Sequence, residues 1–250
     1  SPLTIIFQNN NTRSSDYEKQ RNIPRPGHAD FVAGKKFGGY EDYRGGGHFS
    51  GRLTVCLVAA GVVAKKILSN NNITCKAVIT ELGGQIDIEK GLQQAIDAND
   101  SIGGIIECKI TGLPVGLGEP FFDSVESMIS HAVFSIPAIK GIEFGAGFAA
   151  SKMKGSEHND ALENESGKTA TNHAGGIVGG LSNGNEMVFR VAVKPTSSTP
   201  KEQHSLNMET GKMEDFSVSG RHDLCIALRV PVVLEAVAAM VLADLLLMDN

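Results

Sequence analysis

From Val232 to Leu247 the chain is apolar apart from two acids, Glu235 and Asp244. A helix that is apolar on every side needs protein on every side. Ionised acids in the run argue against a lipid setting. The run therefore predicts a buried helix over 232–248, not a membrane span, and a fold with enough material to enclose it. At 250 residues the chain is long enough for one large domain or two ordinary ones. A hydrophobic content of 41% supports a sizeable core, and no linker divides the chain, so a single domain over 1–250 is expected. Glycine is abundant, at 29 residues, while aromatics make up only 6%. That pairing suits a glycine-rich α/β or α+β enzyme better than a fibrous or disordered chain.

Other elements follow along the chain. Residues 3–8 read as a strand. Residues 9–50 are rich in Gly, Pro, Arg and Asp with no sustained period, which predicts a long ordered loop. Residues 52–68, "RLTVCLVAAGVVAKKIL", read as a helix that is apolar on most faces and so buried. It ends on Lys65 and Lys66, which suit the helix dipole. Strands are expected at 73–81, 103–112, 136–148 and 186–194, and helices at 88–98 and 121–135. Residues 151–173 read as a mobile surface loop, and 199–219 as a polar connector.

Charge and cysteines narrow the function classes. The net charge is −5. A general nucleic-acid binder carries the opposite balance, so no nucleic-acid partner is expected, and no membrane segment is read anywhere in the chain. Cys56, Cys75, Cys108 and Cys225 are scattered and form no CxxC pair. A zinc ribbon or disulfide framework is not indicated, no metal site is expected, and a reducing cytosol is the simpler setting.

The chemistry-bearing residues fall in loops or at element ends. Arg25, His28, Arg44, His48, Arg52, Lys194, Arg221 and His222 are cationic or can become so. Glycines beside them, at 45–47, 175–176 and 179–180, let a backbone approach a ligand closely. Lys194-Pro195-Thr196-Ser197-Ser198 follows a strand and offers a cation with three hydroxyls, a set suited to phosphate. None of this is a Walker loop or a Rossmann fingerprint. Each signal has a plainer reading beside it. Glycine runs can be turns, His28 can close a turn, "KPTSS" can end a strand, and Asp223 can cap a helix or lie solvated.

Taken together and in order, "RPGHAD" (25–30), "YRGGGHFSGR" (43–52), "AGGIVGGLSNG" (174–184), "KPTSS" (194–198), "GRHDLCIALR" (220–229) and "PVVLEAVAAMVLADLLL" (231–247) resemble chorismate synthase over essentially the whole chain. The resemblance implies an α+β fold, a β-α-β sandwich with helices between antiparallel sheets, assembled as a homotetramer in the cytoplasm. It implies conversion of 5-enolpyruvylshikimate 3-phosphate to chorismate by trans-1,4-elimination of phosphate, with reduced FMN as cofactor. NADPH serves as reductant in some members, and nothing in the residues separates the two types. By motif, His28 and Asp223 take the proton-handling roles. Arg25, Arg52 and Arg221 bind the substrate's phosphate and carboxylates. Flavin contacts fall on His48, Phe49, Ser50, Pro137, Ala138, Gly179, Lys194, Pro195, Thr196, Ser197, Ser198 and Arg221.

Two departures from the family pattern stand out. The family's "GESHG" and "RRPG" segments do not occur, and the strand at 3–8 matches an internal strand, so an N-terminal part of the family is expected to be missing. The last motif carries Leu224 and "RVPVVLEA" where many members differ, with Arg221, His222 and Asp223 kept. An assembled but inactive core of the same enzyme is therefore the competing reading. A generic phosphate- or nucleotide-binding module is a more remote one.

Overall fold

The computed structural model describes residues 2–8, 21–218 and 223–249. In chain order the elements are helix α1 (Asp30–Phe37), α2 (Thr54–Ser69), strand β1 (Thr74–Leu82), α3 (Ile88–Ala98), β2 (Gly104–Thr111), α4 (Val125–Val133), β3 (Ile139–Phe144), the single turn α5 (Gly155–His158), the short strands β4 (Ile177–Val178) and β5 (Leu181–Ser182), β6 (Met187–Val193), β7 (Gln203–Leu206), β8 (Met213–Phe216) and α6 (Val230–Met248).

Four strands form one antiparallel sheet in the order β1-β2-β6-β3; β4 with β5 and β7 with β8 form two small ribbons. The sequence alternation of β6 puts Met187, Phe189, Val191 and Val193 inside and leaves the residues between them half-exposed. The register aligns Ala77, Cys108, Phe189 and Phe144 across the sheet, and the Phe144 and Phe189 rings sit 5.5 Å apart. Helix α6 lies on this face, where Leu234, Ala238, Ala239 and Leu242 are fully enclosed. By length and composition Ile226–Met248 is apolar enough to cross a membrane, but α6 is packed against β1, β2, α2 and α4. The helix predicted at 232–248 is thus observed as a core helix.

Its two acids differ in role. Asp244 is exposed. Glu235 Oε1 accepts a hydrogen bond from the Ala77 backbone N–H at 2.8 Å, and its other oxygen pairs with Lys65 of α2. One carboxylate thus joins two helices to the outer strand. Helix α2 can lie against α6 because Gly61 has no side chain: a Cβ there would sit 2.2 Å from Ala236 Cβ.

Several expectations need correction. Residues 2–8 form no strand, and Leu3, Ile5, Ile6 and Phe7 are exposed. A β-prone string forms a strand only beside a partner, and none of the described strands pairs with it. The loop expected at 9–50 contains α1, formed by local charge rather than periodicity. Asp30 lies in its first turn, Lys35 and Lys36 in its last, and Gly38 closes it at φ +62°. Residues 9–20 lie outside the described residues. Helix α2 is not enclosed: it buries only Gly61, Ala64 and Leu68, and Val55, Val62 and Val63 are exposed. Its apolar composition exceeds what one neighbouring helix covers.

The strand predicted at 136–148 is confined to β3, and the helix at 121–135 begins with a 3₁₀ turn before α4. The segment 151–173 is tied down, since Asp160 accepts hydrogen bonds from Thr171 Oγ1, His173 N and Ala174 N. The connector at 199–219 holds the β7–β8 hairpin. Four-residue strands are too short to show alternation.

Candidate functional site

The string Arg25–Asp30 folds back on its own aspartate. Gly27, at φ +70°, supplies the left-handed step, and the His28 N–H closes the turn on Arg25 O at 3.2 Å. Asp30 Oδ2 accepts from Arg25 N at 3.1 Å and Arg25 Nε at 2.8 Å, while Oδ1 accepts from Arg25 Nη2 at 2.9 Å. His28 Nδ1 lies 2.5 Å from Asp30 Oδ1. Arg25 Nη1 reaches across the fold to Ser198 Oγ at 3.0 Å. The three side chains retain only 13%, 19% and 27% of their exposure for Arg25, His28 and Asp30, so this charge-assisted knot is poorly screened. Burial acts to raise the Asp30 pKa, but hydrogen bonds from Arg25 and His28, with their charges, outweigh it and hold the carboxyl well below the usual carboxylate range. Gly46 packs against the imidazole, where a Cβ would come within 3.2 Å of Cε1 and Nε2.

Beside the knot lies the strand-ending string at 194–198. Lys194 Nζ donates to Gly27 O and, at 2.9 Å, to Ser197 Oγ; Ser197 Oγ donates to Gly27 O at 2.8 Å. Burial, and then the like charge of Lys140, push the Lys194 ammonium below its usual pKa. A bound anion would reverse that penalty. Ser198 is buried. Thr196 Oγ1 is buried with no hydrogen-bond partner among the described residues, an unsatisfied group of the kind that native sites reserve for a ligand or water. Its carbonyl accepts from Ser101 Oγ at 2.7 Å. Pro137 and Ala138 belong to the same corner: Ala138, strained at φ +74°, accepts the Lys194 N–H at 2.9 Å. A cation and three hydroxyls, with a second cation nearby, suit a phosphate group.

The knot opens on a cavity of about 500 Å³ walled by Arg21, Arg25, Lys35, Tyr43, His48 and Phe49, among others. Arg21 stacks on the Tyr43 ring at 4.8 Å. The outer wall is held by the β7–β8 hairpin: Ser205 Oγ donates to Pro24 O at 3.0 Å, and Met208 N to Asn22 O at 2.8 Å. His48 and Phe49 end a 3₁₀ turn (Arg44–Phe49), and Phe49 is 40% exposed, which offers an aromatic face for a planar ring.

The structure thus brings together Arg25, His28, His48, Phe49, Pro137, Ala138 and the string from Lys194 to Ser198. Other expected residues stand elsewhere. Ser50 caps the next short turn by accepting from Arg52 N at 3.3 Å. Arg52 is exposed, and its turn approaches Ile226 through Gly51. Asp223 is held by Arg229, whose Nε and Nη2 donate at 2.9 and 2.7 Å. Gly179 is at the exposed tip of the β4–β5 ribbon, at φ +65°. Arg221 and His222 lie outside the described residues. Sequence reasoning passed over Asp30, although its spacing of five from Arg25 inside a quoted motif was the available signal.

Comparison with known proteins completes the case. A chorismate synthase from Chitinophaga pinensis is 73% identical over 250 residues, covering 100% of this chain and 75% of its own length. One from Korarchaeum cryptofilum is 41% identical over 273 aligned residues, covering 98% and 76% respectively. A crystal structure of a chorismate synthase superposes with a TM-score of 0.71 at 26% identity, covering 88% of this chain and 70% of the other. The family model for chorismate synthase matches residues 1–247. On a match of this extent the chain belongs to the chorismate synthase family, lyases of aromatic amino-acid biosynthesis that act on a small-molecule substrate.

Proposed function

We propose that this chain eliminates phosphate from 5-enolpyruvylshikimate 3-phosphate, in the trans-1,4 sense, to give chorismate with reduced FMN bound. The observation that carries the reading is the Arg25–Asp30–His28 knot, which joins the phosphate-suited string at 194–198 to a cavity of about 500 Å³. Lys194, Ser197 and Ser198, with the buried Thr196 hydroxyl, would hold the FMN phosphate, and Phe49 would lie along its ring system. Bound there, reduced FMN would lend electron density to the elimination without net redox change.

The chain's own residues bind, orient and move protons. The substrate carries a phosphate and two carboxylates, a load that several cations must neutralise. Arg25 is fixed for this by its fork to Asp30, with Arg52 and Arg221 as further partners. His28 is the proton donor, because imidazole exchanges protons near neutral pH. Asp223 accepts the proton lost from the ring. Arg229 holds its carboxylate in place with two N–H donors. The working form is a homotetramer in the cytoplasm.

Flavin fluorescence tests the reading. FMN is titrated with the chain, with and without 5-enolpyruvylshikimate 3-phosphate, and anaerobic chorismate formation is then followed with reduced flavin. Tighter FMN binding in the presence of substrate, followed by turnover, is the expected result. Binding without turnover would support an inactive core, and nucleotide affinity without flavin preference would support a generic phosphate module.

A further inference from the structure

Asp30 has no part in the proton and phosphate handling described so far, yet it is the only side chain bonded to both Arg25 and His28 among the described residues. We propose that Asp30 is the positioning residue of the site: it fixes the imidazole tautomer of His28 and the direction of the Arg25 guanidinium, and acts on substrate only through them. Its catalytic consequence rests on the flavin-lyase reading; its geometric content does not.

The argument starts from donors and acceptors. An ionised carboxylate can only accept, and Arg25 gives it three N–H bonds, through its backbone N, Nε and Nη2. His28 Nδ1 stands 2.5 Å from Oδ1. A ring lone pair at that distance from a carboxylate oxygen would be repelled, so Nδ1 carries the proton and donates it to Asp30. Arg25 Nη2 lies 3.0 Å from Nδ1 and 3.3 Å from Nε2. A single Nη2 this close to both ring nitrogens does not lie along either lone pair, so with Nδ1 donating to Asp30 it is Nε2 that is left to take up a proton and give it on. A Cβ on Gly46 would come within 3.2 Å of Cε1 and Nε2, so the glycine lets this loop lie close over the ring. The same carboxylate grips Arg25 at Nε and Nη2 and leaves Nη1 for Ser198, which sets the guanidinium plane between the knot and the string at 194–198.

The test combines spectroscopy with kinetics. The chain is labelled with 15N-histidine, and the His28 signal is identified among the seven histidines by its loss in His28→Gln. In the wild-type chain, with the ring neutral, His28 is expected as the Nδ1–H tautomer. In Asp30→Asn it is expected to shift to Nε2–H, with kcat for chorismate down about 10²- to 10⁴-fold and KM changed far less. Asp30→Glu, which keeps the charge, should recover the Nδ1–H signal and part of the rate. A wild-type His28 protonated on Nε2 would overturn the proposal, as would an Asp30→Asn enzyme with unchanged tautomer and wild-type kcat. If Asp30→Asn does not fold, the wild-type tautomer decides alone. If the wild-type chain makes no chorismate, the lyase reading fails, while the tautomer measurement still decides the role of Asp30.

Discussion

At the scale of single residues, Asp30 couples the site to pH. Its folded-state pKa is depressed, so its contribution to stability is complete above the ordinary carboxylate value and is lost as pH falls through the folded value. Urea midpoints measured from about pH 5 downward should therefore fall more steeply for the wild type than for Asp30→Asn. Thiol reactivity gives a second residue-level expectation. Cys56 is exposed, whereas burial pushes the Cys75 thiol up to about 12 and the Cys108 thiol higher still. Since the thiolate is the reactive form, iodoacetamide at mild alkaline pH should label Cys56 in the native chain and spare Cys75 and Cys108, as read by peptide mass spectrometry. Much of the site was legible at this scale because "RPGHAD" and "KPTSS" are contiguous strings whose donors can be counted. The partner that orients Arg25 and His28 was missed because a lone acid beside a cation is common in any loop. The Asp223–Arg229 pairing was hidden for the same reason.

Elements are held together at two points where a small change has a large effect. Gly61 sits against Ala236 with no space for a Cβ, so Gly61→Val should force α2 away from α6 and destabilise the chain by about 3 kcal/mol or more, measured by urea unfolding. Glu235→Ala would leave the Ala77 N–H and the Lys65 ammonium without their acceptor. A cost of about 1–3 kcal/mol follows, discounted toward the low end for the half-exposed lysine. Helix α3 was legible to the residue because Asp87 caps its start by accepting from Lys90 N, and Asn99 ends it in the left-handed region. Helix α1 and the β7–β8 hairpin were not, since eight- and four-residue pieces show no period above noise. The strand read at 3–8 failed in the other direction, because β propensity describes a side-chain surface and says nothing of a pairing neighbour.

For the molecule as a whole, a ligand that binds only the folded chain raises its stability by mass action, by about 2.7 kcal/mol at a hundredfold excess over Kd. FMN with substrate should therefore raise the melting temperature more than either alone, and Lys194→Ala should remove most of that gain. The family and the α+β class were legible from the order of the motifs along the chain. The strand order β1-β2-β6-β3 was not, because β6 inserts between β2 and β3 and no local pattern records that. The ties across the site have one more consequence. Arg25 meets Ser198 across a separation of 173 residues, and Gly27 meets Ser197 across 170. Closing contacts so distant along the chain is slow compared with forming helices. Cofactor affinity should thus be the last property regained on refolding, and a nascent chain stalled before Lys194 should have a growing core and no capacity to hold flavin.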